Sequence, residues 1–107
     1  MNEQETAALK TRFKRFVKIT IDEKTLAFKP LSKEKIADLK NQIAKKPELS
    51  VQLSINACEF VCVHGKEHFA TLADEYPLAF AGGGEDRPGV LDALLKMAHG
   101  DVSIEVA

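Results

Sequence analysis

Hydrophobic positions along this chain alternate between a period of two and a helical period, and the switches divide it into elements. From Phe16 onward, Val17, Ile19 and Ile21 alternate with Lys18 and Thr20, which places one aliphatic row on a single face of a strand. Asp22, Glu23 and Lys24 supply a polar turn. Thr25 to Lys29 resumes the alternation with Leu26 and Phe28, so the two runs predict a β-hairpin. Pro30 has no N–H to give a ladder and closes it. Ser32 suits a helix N-cap, and Ile36, Leu39 and Ile43 follow at helical spacing with Lys33, Glu34, Asp38 and Lys40 on the other face. Lys45 and Lys46 complement the negative end of that helix, and Pro47 terminates it.

The run from Leu49 to Val63 carries two patterns at once. Leu49, Val51, Leu53 and Ile55 alternate like a strand, while Leu49, Leu53, Ala57 and Phe60 lie on one helical face. A run this long without Gly or Pro exceeds a usual strand, so we expect a central buried helix ended by His64 and Gly65. A further amphipathic helix is expected from Lys66 to Tyr76 through Phe69, Leu72 and Ala73, with Pro77 stopping it. Residues 78 to 85 then relax into an irregular stretch that contains Gly82, Gly83 and Gly84. Asp86 can cap a last helix with the apolar face Val90, Leu91, Leu94, Leu95 and Ala98, and Gly100 sits in the C′ position.

These elements predict an α+β fold: an N-terminal β-hairpin followed by three to four packed amphipathic helices. The tail Val102, Ile104, Val106 alternates again, as a short C-terminal strand or a free end. Residues 1–13 are polar apart from Leu9 and Phe13 and read as a flexible arm with room for a short helix, which leaves 14–107 as one domain. A chain of 107 residues with 45% hydrophobic and 29% charged residues fits one ordinary core.

Charge narrows the partner classes. A formal net charge of −1 gives no long-range field to attract a polyanion, so nucleic acid is not an expected partner. The basic cluster Lys10, Arg12, Lys14, Arg15 and Lys18 reads as a solvated face. Met1 to Ala8 lacks the apolar segment of a leader, and no stretch approaches the about 18 apolar residues of a membrane span, so we expect a cytoplasmic protein without a membrane partner. Cys58 and Cys62 alone make no secreted disulfide framework, which fits a reducing compartment.

Each candidate for chemistry has a plainer explanation. Cys58, Cys62, His64 and His68 offer thiolate and imidazole ligands, but they crowd into one short run, whereas zinc modules pair a tight knuckle with a distant second pair. The cysteines also sit among Ile55, Ala57, Phe60 and Val61, where Cys packs as a small hydrophobe. No orienting carboxylate marks Cys62 with His64 as a nucleophile and base. Gly82 to Gly84 match no phosphate-loop pattern, and Glu85 and Asp86 would repel an anion. We therefore expect no metal, no cofactor and no catalytic residue.

The layout does resemble a known family. The hairpin Phe16-Val-Lys-Ile-Thr-Ile with Leu26-Ala-Phe-Lys-Pro leads into a helix beginning Leu31-Ser-Lys-Glu. Ile55-Asn-Ala-Cys-Glu-Phe-Val-Cys, Leu72-Ala-Asp-Glu-Tyr-Pro-Leu and Val90-Leu-Asp-Ala-Leu-Leu-Lys-Met-Ala-His-Gly follow. In this order they look like the small tail assembly chaperones of long-tailed bacteriophages and prophages. The resemblance implies a non-enzymatic role in a bacterial host cytoplasm. Such proteins bind the long helical tape measure protein and help tail tube subunits assemble around it. The family is often also made in a longer, frameshifted form. From the residues themselves, large apolar groups beside the helix break at Pro77 nominate a protein-binding surface of Tyr76, Leu78 and Phe80 with the helix face of Leu91 and Leu95. Several apolar helix faces also lead us to expect a homo-oligomer. A regulatory or adaptor subunit of another bacterial complex is the first alternative, and a metal-binding protein built on Cys58, Cys62, His64 and His68 is the second.

Overall fold

The computed structural model describes residues 2–83 and 87–100. Strands β1 (Val17–Ile21) and β2 (Lys24–Phe28) form the expected hairpin, in register from Val17 opposite Phe28 to Ile21 opposite Lys24. Its turn contains only Asp22 and Glu23, both left-handed at φ 50° and 66°, which is the backbone twist a two-residue hairpin turn needs. Lys24, expected in the turn, already belongs to β2. The Tyr76 hydroxyl donates to Asp22 Oδ2 at 3.0 Å and ties this turn to the helical half of the molecule.

Five α-helices follow the hairpin: α2 (Lys33–Lys45), α3 (Ser50–Phe60), α4 (Phe69–Glu75), α5 (Pro77–Ala81) and α6 (Val90–His99). The expectation of three to four is exceeded because Pro77 opens a helix. Proline is favoured in the first turn of a helix, where its missing N–H costs nothing, so residues 77–81 coil instead of running irregularly. At the start of α2, Ser32 accepts the Lys35 N–H at 3.2 Å, as its sequence position predicted.

The largest departure concerns Leu49 to Val63. A short 3₁₀ turn at Pro47–Leu49 precedes α3, the helix ends at Phe60, and Cys62–His64 forms strand β3. This strand pairs antiparallel with β2, placing Phe28 opposite Cys62 and Ala27 opposite His64, and Lys29 N–H donates to Val61 C=O at 2.9 Å. The sheet order is β1-β2-β3. The free edge of β2 would otherwise leave buried backbone groups unpaired, and that demand ends the helix without Gly or Pro. Gly65 follows at φ 71°, and a Cβ there would lie 2.5 Å from the Thr25 carbonyl oxygen, so this turn against β2 requires glycine.

Leu26, Ala27 and Phe28 are consecutive and all fully buried, so both faces of β2 are covered. Phe28 looks into the main core, where it meets Phe69 and Phe80 with ring centroids 6.2 Å away in each case, while Phe69 and Phe80 lie 4.8 Å apart. Leu72, Leu94, Val61 and Cys58 complete this centre. Ala27 shares the opposite face with its partner His64, whose Nδ1 lies 3.3 Å from Glu5 Oε2. Glu5 belongs to helix α1 (Glu3–Arg12), which occupies the segment expected as a flexible arm. Asn2 caps α1 by accepting the Glu5 N–H at 2.8 Å, and Leu9 is its buried anchor.

α6 begins at Val90 with Gly89 as its N-cap, and Asp92 Oδ2 accepts the Gly89 N–H at 2.8 Å. A Cβ on Gly89 would approach Gly82 N to 2.4 Å and Leu78 O to 2.9 Å, so the backbones on either side of the glycine-rich segment touch. Gly84 and the Asp86 expected as a cap lie outside the described residues, as does the 102–106 segment expected to add a strand.

Substitution of Phe80 by Ala removes the central ring of the aromatic trio and should cost about 3–5 kcal/mol in denaturant unfolding. Leu78→Ala, at a side chain 47% exposed, should shift the midpoint far less. Similar losses for both variants would contradict the packing described.

Candidate functional site

The side chains that nominated a binding surface do not share one. Tyr76 and Leu78 stand out at 40% and 47% exposure, whereas Phe80 is fully buried and Leu91 is 6% exposed. Leu95 is half-buried and packs against the core cluster. Phe80 and Leu91 are therefore corrected to core residues. Starting a helix at Pro77 turns Phe80 inward onto Phe69. On α6, Leu91 joins Val90 and Leu94 on the inward face.

The surface that does gather apolar groups runs along α3. Ser54 and Cys58 anchor that helix in the core, which leaves Val51 43% exposed and Ile55 half-buried on one outer flank. Opposite them lie Ala70 and Ala73 of α4 and Pro77 at the start of α5, and the groove between encloses about 450 Å³. Phe69 closes its floor, and Gln52, Asn56, Glu59 and Asp74 give it a polar border. Gln52 Nε2 donates to Asn56 Oδ1 at 2.9 Å along that border. Leu49 lies just before α3, 42% exposed, and exposed Tyr76 and Leu78 flank Pro77 in sequence.

Val51 and Ile55 were not singled out from the sequence, although a signal existed. In the strand-like alternation, Val51, Leu53 and Ile55 lie on α3 with Leu49 just before it, and a helix apolar on more than one side cannot bury every apolar residue against one core. On its other flank α3 carries Phe60, 56% exposed, with Lys35 Nζ lying 3.9 Å from the ring centroid. That contact is a cation–π pair that covers part of the ring.

The two cysteines are buried, and His64 and His68 lie against carboxylates. Cys58 Sγ donates to the Phe80 carbonyl at 3.6 Å, and Cys62 Sγ donates to the His64 carbonyl at 3.3 Å. Burial pushes the Cys58 thiol from 9.0 up to about 12, with the neighbouring Cys62 and Asp92 adding to the rise. Burial raises Cys62 as well, opposed by its hydrogen bond to His64. His64 faces Glu5, and His68 Nε2 lies 3.6 Å from Glu67 Oε1. Among the described residues, no three His, Cys, Asp or Glu side chains converge as metal ligands.

Tyr76 joins two halves of the molecule through its bond to Asp22. That hydrogen bond raises its phenol, because ionisation would lose the donor and set two negative charges together. Among the described residues, no helix is long and apolar enough to cross a membrane. No protein-family model matches the chain, and no curated protein or solved structure matches it either.

The Cys58 thiol makes stability fall at high pH. Its folded-state pKa is raised, so the unfolded chain releases the proton first. The contribution is complete below pH 9.0 and is lost as pH climbs toward 12. Over that window one such group changes stability by at most about 1.4 kcal/mol per pH unit. Denaturant titrations of the wild type and Cys58→Ala at rising pH should converge; parallel curves would show that the thiol ionises as freely when folded.

Proposed function

We propose that this protein is a non-enzymatic chaperone of phage or prophage tail assembly that holds a helical segment of the tape measure protein. The observation that supports this reading is the groove of α3, α4 and α5, with Val51, Ile55, Ala70, Ala73 and Pro77 along its sides. Exposed Leu49, Tyr76 and Leu78 lie in the segments that lead into it. A helix laid into such a groove contributes side chains at positions i, i+3, i+4 and i+7, and the apolar sides take them up while the polar border keeps the register.

Burial of these side chains by a client is favourable at roughly 25 cal/mol per Å² of apolar area. An open groove suits a client that is held and later released, as the assembly of tail tube subunits around a tape measure would require. Neither step needs a reacting group, metal or cofactor. The reading places the protein in the bacterial host cytoplasm, and its exposed apolar side chains support association with further copies of itself in the absence of client. The remaining alternative is an adaptor role in another bacterial complex, using the same groove for a different helical partner.

Co-expression with a phage tape measure protein tests the proposal. The wild type should keep that partner soluble and co-purify with it. Val51→Glu combined with Leu78→Glu should abolish co-purification while leaving the melting temperature within a few degrees, because both side chains are largely outside the core. A partner equally soluble with and without the chain would overturn the tail-assembly reading. Retained binding by the double variant would overturn the groove.

A further inference from the structure

A second concavity lies away from the α3 groove and is ringed by cations. Lys10, Lys14 and Arg15 from α1 and the connection to β1 meet Lys96 from α6 around a groove of about 610 Å³. Phe16, Ala93 and Met97, all half-buried, give it an apolar floor. The two grooves share no lining residue. From the sequence, the basic cluster read as a solvated face; folding adds Lys96 from near the other end of the described chain and places an apolar floor between the charges.

Part of this charge has a local explanation. Lys10 and Lys96 lie in the last turns of α1 and α6, where a cation complements the helix dipole. Lys14 and Arg15 lie beyond the end of α1 and gain nothing from a helix terminus. Among the described residues, no Lys or Arg lies within 4.0 Å of a carboxylate; the ion pairs found there involve histidine. Lys10 also borders a neighbouring depression, whose lining holds Lys18 and the carboxylate of Glu3. Like charges gathered without a carboxylate partner among the described residues repel one another, and an anionic ligand would relieve that repulsion.

We propose that this groove binds an acidic amphipathic segment of a partner protein, with carboxylates on Lys10, Lys14, Arg15 and Lys96 and apolar side chains on Phe16 and Met97. The apolar floor distinguishes this ligand from a bare polyanion, whose charged backbone gains nothing there. Only Arg15 of the four cations has the forked guanidinium that matches phosphate, while the lysines act as point charges suited to dispersed carboxylates. The net charge of −1 also leaves no field to concentrate nucleic acid. The inference is independent of the helix-binding role proposed for the α3 groove.

Fluorescence anisotropy with a labelled synthetic peptide, carrying glutamates on one helical face and leucines on the other, tests this on the full chain. The wild type should bind it, and binding should weaken as salt rises from about 0.05 to about 0.5 M. Replacing Lys14, Arg15 and Lys96 together by Glu should weaken binding by at least about tenfold with unchanged thermal melting, since all three are exposed. The milder triple change to Gln should fall between. Met97→Ser and a peptide with serines in place of the leucines should each bind more weakly.

Several outcomes would overturn the proposal. Unchanged affinity in the triple Glu variant is one, and equal binding of a basic peptide with the same leucines is another. Tighter binding of a single-stranded oligonucleotide would assign the groove to phosphates. A chain ending at Gly100 that binds the peptide about tenfold more tightly would assign it to residues 101–107, and dimers that dissociate in the triple Glu variant would assign it to a second copy.

Discussion

Everything in this fold is arranged around covering β2. Its three consecutive buried residues, Leu26, Ala27 and Phe28, cannot be satisfied by a hairpin alone. One edge is paired by β1 and the other by β3, while the face of Phe28 is filled by Phe69 and Phe80 and the face of Ala27 lies toward α1. A two-stranded hairpin is marginal in water, so the third strand and the aromatic trio give it independent stability. The same demand determines which side chains remain outside. Once α5 commits Phe80 to the trio and α3 commits Cys58 and Ser54, Leu78 and Val51 face solvent because the helical repeat leaves them no other direction.

The elements legible in the sequence were those whose signals are local. The hairpin announces itself through an alternation of five residues on each side of a polar turn, and α2 through a capping serine and a clear apolar face. The strand β3 is different in kind. Its three residues are too few to display a period, and its existence depends on an edge of β2 that lies far back in the chain. Length therefore favoured a longer helix than the fold allows. Pro77 misled for a related reason. A proline ends one helix and can begin the next with equal ease, and only the vacancy beside Phe28 and Phe69 selects the second outcome.

The surface was less legible than the core. Tyr76 and Leu78 were recognisable as large apolar groups near a break, but the groove of Val51 and Ile55 requires α3 and α4 to be placed side by side. The basic groove requires more, since Lys96 joins the N-terminal cluster only through the docking of α6. Composition averages these features away: a chain with net charge −1 carries one groove of mixed polar and apolar lining along α3 and one cationic groove with an apolar floor. The two grooves share no lining residue, so the two proposed partners would not compete for the same contacts.

The contact between Gly82 and Gly89 bears on how the chain tolerates change in length. Because the two backbones touch, Gly82 and Gly89 bring the two ends of the intervening segment to one point. Chain added there begins and ends at a closed base, so its cost grows only with the logarithm of its length, about 0.6 kcal/mol for each doubling. Removing either glycine is another matter, since a Cβ on Gly89 would strike Gly82 N at 2.4 Å and one on Gly82 would strike the Asp92 carboxylate that caps α6. An insertion between Gly82 and Gly89 would therefore start and end at one closed base, bounded by two residues closed to substitution, as the attachment of a reporter peptide or a grafted epitope requires.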